Sequence, residues 1–264
     1  MSIGRFGAVL LFLSFLSPCL QAAELAGHQA AYRLSLSSRK NSAEIVDLSG
    51  VLTSRLEQVC DGWILAQKMS QRFDSPSAGI IVSESSSAVM EALGGDAYRF
   101  NTRQKNGAAV LDVRGEAKKN KEGEITAQYT KPLAKTLLLP EKTVFPITHT
   151  RLLVDAALSG ETLVNHHVFD GFDGASGYFV TTAINRLSNE SEFSESFSHL
   201  LKGERWHMRM AYFPGQKEAS APIMEISVIL RSNGVAEKII FEYERFGIMA
   251  ELDRVEAIAK PLCQ

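Results

Sequence analysis

The sequence predicts a mainly β fold: one domain built from a strongly curved antiparallel sheet or open barrel, with one amphipathic helix. Three observations support this. Apolar and polar residues alternate with period two along most of the chain, which is the pattern of strands with one buried face. Two Asn-Gly pairs separate alternating runs, as in β-hairpins. One segment near the middle has apolar residues at helical spacing instead.

Residues 1–23 have the layout of a secretory signal peptide. Arg5 precedes an apolar stretch of roughly 11 residues, which is shorter than the roughly 20 residues of a membrane-spanning helix. Small residues end the segment, so cleavage is expected after Ala22 or Ala23. Lipidation of Cys19 is an alternative, although Pro18 stands where a lipoprotein signal has a small residue.

The exported part, residues 24–264, is long enough for one substantial core, and no linker or repeat divides it. Removal of Arg5 changes the formal net charge from -2 to -3. Such a weak charge does not indicate binding to nucleic acid or to an anionic membrane surface. No other apolar segment has membrane-spanning length, so an integral membrane protein is not expected.

The strands are predicted from alternating runs. Two hairpins are expected around Asn106-Gly107 and Asn233-Gly234, because a two-residue type I′ turn needs positive φ at both central positions and these residues tolerate it. About a dozen strands follow from the pattern, and the clearest alternating sets are Tyr32, Leu34 and Leu36; Leu48, Leu52 and Leu56; Tyr98, Phe100 and Thr102; Trp206, Met208 and Met210; Ile226, Val228 and Leu230; Ile239, Phe241 and Tyr243.

One amphipathic helix is predicted from Pro146 to Ser159, with proline near its start and Gly160 after its end. A second, short helical turn is predicted over Ala88–Leu93, stopped by Gly94-Gly95.

Local motifs for chemistry are sparse: the sequence has no nucleophile elbow, zinc helix, phosphate loop or closely spaced cysteine pair. His166-His167 offers one metal ligand at most, because adjacent strand residues face opposite sides, so packing or surface histidines are favoured. Phe169–Gly174 has two carboxylates beside glycines but lacks the closing glutamate of a calcium loop, so an Asp-Gly turn is favoured.

Three further features have ordinary structural interpretations. The serine run Ser83–Ser87 is expected to be an edge strand or a loop, because no motif places a base near it. Trp63 is expected to be a large ring packed beside a disulfide, with ligand stacking as the alternative. Loss of Cys19 leaves Cys60 and Cys263, which are able to pair if the compartment is oxidising.

Several motifs together resemble the cell-envelope integrity protein EipB family of alphaproteobacteria, and the resemblance covers essentially the whole exported part. Each motif is unspecific, and their order and spacing carry the resemblance. They are His28, Ala31 and Tyr32; Cys60-Asp61-Gly62-Trp63; Phe145-Pro146 to His149; Gly160-Glu161; Val168-Phe169-Asp170-Gly171; and the terminal Cys263.

The resemblance implies a periplasmic protein whose antiparallel strands wind into a spiral-like, partly open barrel. It also implies a disulfide between Cys60 and Cys263 that closes the domain. The implied role is maintenance of the envelope under stress, without a known catalytic activity, so neither an enzyme nor a cofactor or metal site is expected.

Three functions are compatible with the sequence. The first is a non-enzymatic interaction module that binds another periplasmic or envelope protein, with a helical-repeat protein as one candidate, through strand edges or a concave face. The second is a carrier of lipid or lipoprotein acyl chains, because a curved half-barrel is able to enclose an apolar cavity. The third, a hydrolase acting on envelope polymers, requires a carboxylate cluster or a Ser/His pair in a cleft.

Overall fold

The computed structural model describes residues 23–39, 44–172, 176–189, 199–215 and 221–263. Within these ranges the chain forms fourteen β-strands, one α-helix (α1, Pro146–Leu158) and a single 3-10 turn, His199–Leu201. The strands are β1 (His28–Arg39), β2 (Asp47–Val59), β3 (Gly62–Ser75), β4 (Gly79–Ala92), β5 (Ala97–Asn106), β6 (Ala109–Lys119), β7 (Ile125–Lys131), β8 (Lys135–Leu139), β9 (Leu163–Val168), β10 (Tyr178–Arg186), β11 (Arg205–Pro214), β12 (Met224–Arg231), β13 (Ala236–Glu242) and β14 (Phe246–Ala257).

All fourteen strands belong to one antiparallel sheet in the order β8-β7-β6-β5-β4-β3-β2-β1-β14-β13-β12-β11-β10-β9. Strands that follow one another in sequence are therefore neighbours, except β8 and β9, which form the two edges of the sheet. At the centre, β1 pairs with β14, so the first and last strands of the chain lie side by side. In that pair His28 lies opposite Ala257 and Leu34 lies opposite Ala250. The predicted mainly β fold is confirmed.

The two edges of the sheet, β8 and β9, are joined in sequence by α1. Val144, just before the helix, forms a parallel bridge with Val168 of β9. Its N–H donates to the His167 carbonyl at 2.8 Å, and its carbonyl accepts the Phe169 N–H at 3.0 Å. The segment before α1 therefore extends the β9 edge. We call the region where α1 connects the two edge strands, β8 and β9, the seam.

The core lies on the inward faces of the strands, as the alternation predicts. One cluster joins α1 to β9–β12, with Leu153 and Trp206 among its members. A second surrounds the central strand pair and includes Leu34. A third is aromatic: it stacks Tyr98 of β5 on Phe145 with ring centroids 4.9 Å apart.

Helix α1 agrees with the prediction. Pro146 occupies the first turn, where the missing proline N–H breaks no helical hydrogen bond. Leu153, Val154 and Ala157 are buried on one face. Gly160, with φ at 84°, ends the helix in the left-handed conformation that favours glycine.

The predicted helical turn at Ala88–Leu93 is wrong, because β4 continues to Ala92. Glu91 pairs with Trp63 on one side and Tyr98 on the other. The strands on both sides thus satisfy the backbone hydrogen bonds of this segment. Pairing within the sheet therefore outweighs the local helical spacing.

Both Asn-Gly hairpins are confirmed, but their turn types differ from the prediction. Asn106 pairs with Ala109, so the two central residues are Gly107 and Ala108. Gly107 has φ at 59° and Ala108 has no positive φ, which fits a type II′ turn.

At the second hairpin the loop has three residues, Ser232 to Gly234. The Arg231 N–H donates to the Val235 carbonyl at 2.9 Å, and Gly234 has φ at 83°. This is the three-residue hairpin with glycine in the left-handed position.

The predicted signal peptide lies outside the described residues except for Ala23, and so does Cys19. No helix in the described ranges is long and apolar enough to cross a membrane.

Candidate functional site

The curved sheet encloses a cavity of about 520 Å³, which we call the lumen. Its walls are the inward faces of β2–β5, with Phe241 of β13 opposite them. Because successive strand residues face opposite sides, every second residue of each strand reaches this cavity.

The serine run lies on this wall, and its prediction as an edge strand or loop is wrong. β4 is an interior strand, hydrogen-bonded to β3 and β5. Ser83, Ser85 and Ser87 all line the lumen. Alternation places them there because the buried Val89 continues the same face.

The lumen has a polar side and an apolar side. Hydroxyl and amide groups of β3–β5 form the polar side, with Gln67, Gln71 and Thr102 beside the serines. Leu52, Met69 and Phe241 contribute apolar surface. Such a lining suits an amphipathic ligand or side chain, because each polar atom retains a partner while apolar groups are shielded from water.

The loop after β9 bounds the lumen through Asp170 and Phe172. The Phe172 N–H donates to Asp170 Oδ1 at 2.9 Å, and the Tyr98 hydroxyl donates to the Asp170 carbonyl at 3.0 Å. Gly171 has φ at 75°, and a Cβ there would lie 2.6 Å from the Phe100 ring. The predicted Asp-Gly turn agrees with the structure as far as Phe172, whereas Asp173 and Gly174 lie outside the described residues.

A buried carboxylate holds the start of α1 against the sheet. Glu91 of β4 is 2% exposed and accepts the backbone N–H groups of Ile147 at 2.9 Å and Thr148 at 2.8 Å. These are first-turn donors that no residue of the helix itself satisfies. Burial raises the pKa of Glu91, while the hydrogen bonds from Thr148 and Ile147 and the nearby Arg151 oppose that rise.

The two adjacent histidines do face opposite sides of β9, as predicted. The His166 ring meets His149 of α1 with centroids 5.2 Å apart, whereas the His167 ring meets Phe179. Burial, together with the proximity of His166, lowers the pKa of His149 to about 3. His149 therefore stays neutral at physiological pH and packs into the seam.

Cys60 and Cys263 lie at disulfide-bonding distance, with sulfur atoms 2.22 Å and Cα atoms 5.5 Å apart. Trp63 lines a second cavity, of about 420 Å³, together with both cysteines. The ring is half-buried and packs on Leu25 and its neighbours, so it lies beside the cysteine pair as predicted, although it is less buried than expected.

Sequence reasoning missed Glu91 and the lumen. A usable signal for Glu91 was present: the residue follows Val89 at the inward position of an alternating run, where an acidic side chain needs a partner.

Within the described residues, no three His, Cys, Asp or Glu side chains are close enough together to hold a metal ion.

One coiled antiparallel sheet around a lumen, with a helix at its seam, defines a β-barrel-like protein. A crystal structure titled as a β-barrel-like protein of domain of unknown function DUF1849 from Brucella abortus has this fold. Its TM-score is 0.83 at 23% sequence identity, and the match covers 90% of this chain and 100% of that chain. The EipB-like family model matches residues 20–259, and the chain belongs to the EipB-like family. No curated protein matches the sequence.

Proposed function

We propose that this chain is an exported, periplasmic and non-enzymatic protein that maintains the integrity of the cell envelope by binding a protein partner. The observation that carries the proposal is the composition of the lumen. Among its described lining residues there is no histidine, cysteine, lysine or arginine, and the Asp170 carboxylate accepts a backbone hydrogen bond. Such a lining supports binding rather than acid-base or nucleophilic catalysis.

The mouth of the lumen supplies a docking surface, which we call the rim: Ile80, Ile81, Val82, Val110 and Leu111. Ser83 pairs with the last residue of β5, so β4 projects beyond β5 by the residues before it. The rim side chains are 40 to 60% exposed. By alternation Ile80, Val82 and Val110 lie on the outer face of the sheet, and Ile81 and Leu111 on the lumen face. Exposed apolar side chains clustered at one end of neighbouring strands mark interaction sites.

The test is complementation of a deletion strain in the native host. We expect the deletion to sensitise cells to detergent and to antibiotics that act on the cell wall, and the wild-type gene to restore resistance. Ile80→Asp/Val82→Asp should accumulate to normal levels and fail to restore it. Leu138→Asp, at an apolar residue of β8 that is somewhat more exposed, is the control and should complement. A deletion strain as resistant as its parent would refute the envelope role.

A second candidate, a carrier of lipid or lipoprotein acyl chains, is favoured by the apolar side of the lumen at Leu52 and Met69. Organic extraction of purified protein followed by mass spectrometry tests it. A carrier should retain acyl-bearing molecules, and Ser85→Trp, which fills the lumen, should lose them. Glu84→Trp places the same ring on the opposite face of β4 and should retain them.

A further inference from the structure

The outer face of β2–β6 has a depression with a floor of small residues and walls of cationic side chains. Two rows of paired residues cross it. One row is Arg55, Ala66, Ala88, Asn101 and Arg114, running from β2 to β6. The small side chains of Ala66 and Ala88 leave the middle of this row low, while an arginine stands at each end.

In the neighbouring row Lys68 and Arg103 flank Ser86, and Asp112 of β6 lies next to Arg103. The space above the two rows is about 590 Å³ and is continuous, through shared residues, with hollows of about 530 and 540 Å³ on either side. We call this surface the outer groove. It lies on the face of the sheet opposite to the lumen, because its cationic residues Lys68 and Arg103 alternate with Met69 and Thr102, which line the lumen.

The charge of the outer groove is opposite in sign to that of the whole chain, which is -2. Six basic residues line it, namely Arg55, Lys68, Arg99, Arg103, Lys105 and Arg114, against the acidic Glu84, Asp112 and Glu116. Asp112 lies within ion-pair distance of Lys131, and Glu116 within ion-pair distance of Lys118 and Arg99. Arg55 is paired with Glu57, which lies outside the groove. Among the described residues, no ion pair within 4.0 Å involves Lys68, Arg103, Lys105 or Arg114.

The spacing of these cations suits an extended anionic chain. Arg55 and Arg114 stand four strands apart, which is roughly 19 Å at the usual spacing between strands. Guanidinium groups bind carboxylates with two parallel hydrogen bonds, so arginine is favoured where carboxylates are recognised. The alanines between them offer contact to aliphatic carbons of the same ligand.

We propose that the outer groove binds an acidic segment of the partner protein. This inference rests on the proposed function and specifies the chemistry of the partner. A polypeptide segment enters a depression of this width, whereas a bilayer surface contacts protruding groups instead. The rim adjoins the groove through Val110, which pairs with Lys105, so one partner reaches both surfaces.

The test uses a fluorescent peptide of six Glu-Ala repeats, its Lys-Ala counterpart, and vesicles containing phosphatidylglycerol. The wild-type protein should bind the acidic peptide and should not bind the basic one. High salt should weaken binding of the acidic peptide at least tenfold. Arg103→Glu/Arg114→Glu should weaken binding at least tenfold. Arg209→Glu/Lys238→Glu makes the same charge change on β11 and β13 and should stay within twofold. No binding of the acidic peptide, equal binding by both variants, or binding of vesicles alone overturns the proposal.

Complementation separates this inference from the proposed function. If the deletion strain is sensitive and Arg103→Glu/Arg114→Glu complements it fully, the groove proposal fails and the envelope role stands. If the deletion strain is resistant while the peptide binds through the groove, the envelope role fails and the groove stands. Failure of the groove variant to complement, with the Arg209/Lys238 variant complementing, supports both.

Discussion

At the scale of single residues, two buried titratable groups fix α1 in the seam. Glu91 caps the helix from a strand that lies 56 residues earlier in the chain. His149 lies 4% exposed between the helix and β9. Neither role follows from local sequence, because the partners of both residues come from other elements.

Replacing Glu91 tests the cap. Glu91→Ala leaves two N–H donors without an acceptor, so the free energy of unfolding should fall by about 2 kcal/mol. Glu91→Gln keeps one acceptor oxygen and should cost less. Urea titration followed by circular dichroism measures both. Glu84→Ala, on the exposed face of the same strand, is the control and should change stability by less than about 0.5 kcal/mol; equal stabilities for all variants would contradict the cap.

His149 should make stability depend on pH. Its pKa in the folded chain is about 3, below the ordinary value of 6.5, so the unfolded chain binds a proton that the folded chain excludes. Stability from this group is complete above pH 6.5 and is lost as the pH falls towards 3. Between pH 7 and pH 5 the loss is about 2 kcal/mol.

His149→Gln should remove that component of the pH dependence. The measurement is the difference in unfolding free energy between pH 7 and pH 5 for wild type and variant, which cancels the surface carboxylates common to both. If wild type and variant show the same difference between pH 7 and pH 5, His149 is protonated in the folded chain as readily as in the unfolded chain. Glu91, whose pKa is raised, acts in the opposite direction: its contribution is present at low pH and is lost as the pH rises through its folded value.

At the scale of elements, the spacing of apolar residues was sufficient to predict many of the strands and the helix. It was insufficient at three places where strand pairing decides the structure. Pairing of Asn106 with Ala109 moves the turn by one residue, Ala88–Ala92 belongs to β4, and the serine run lies in the interior of the sheet. Single-sequence patterns show which face a residue occupies, but not which strand lies beside it.

The loop that bounds the lumen offers an element-scale prediction. Gly171→Ala places a methyl group against the Phe100 ring and also strains a positive φ, so it should cost about 2 to 4 kcal/mol. Gly160→Ala has a similar φ of 84° with nothing within 4 Å, and it should cost about 1 kcal/mol. Urea unfolding of both variants measures their losses of unfolding free energy, and the difference between the two losses isolates the steric contribution at Gly171. Equal losses would argue against tight packing of this loop on Phe100.

At the scale of the whole molecule, the cysteine pair links the turn between β2 and β3 to the segment that follows β14. The bond closes a loop with a sequence separation of 203. In the chain-entropy model such a link removes unfolded-state entropy equivalent to roughly 5 kcal/mol as an upper value. The distance between the cysteines in sequence gave no indication of contact; the family resemblance supplied the pairing.

Reduction should therefore destabilise the protein. Cys60→Ala and Cys263→Ala are each expected to lower the free energy of unfolding by several kcal/mol, up to that limit. Urea midpoints with and without dithiothreitol measure the effect. The double variant Cys60→Ala/Cys263→Ala should be as unstable as the reduced wild type and insensitive to dithiothreitol; a wild type indifferent to reductant would contradict a closed disulfide.

The position of β14 beside β1 has a consequence for biogenesis. The strand that is synthesised first finds one of its two neighbours only when the last strand has been made. Until then β1 and β13 both present long unpaired edges in what will become the middle of the sheet. A polypeptide truncated before Phe246 therefore leaves both of these edges without a partner, and unpaired strand edges make such an unfinished copy prone to aggregation.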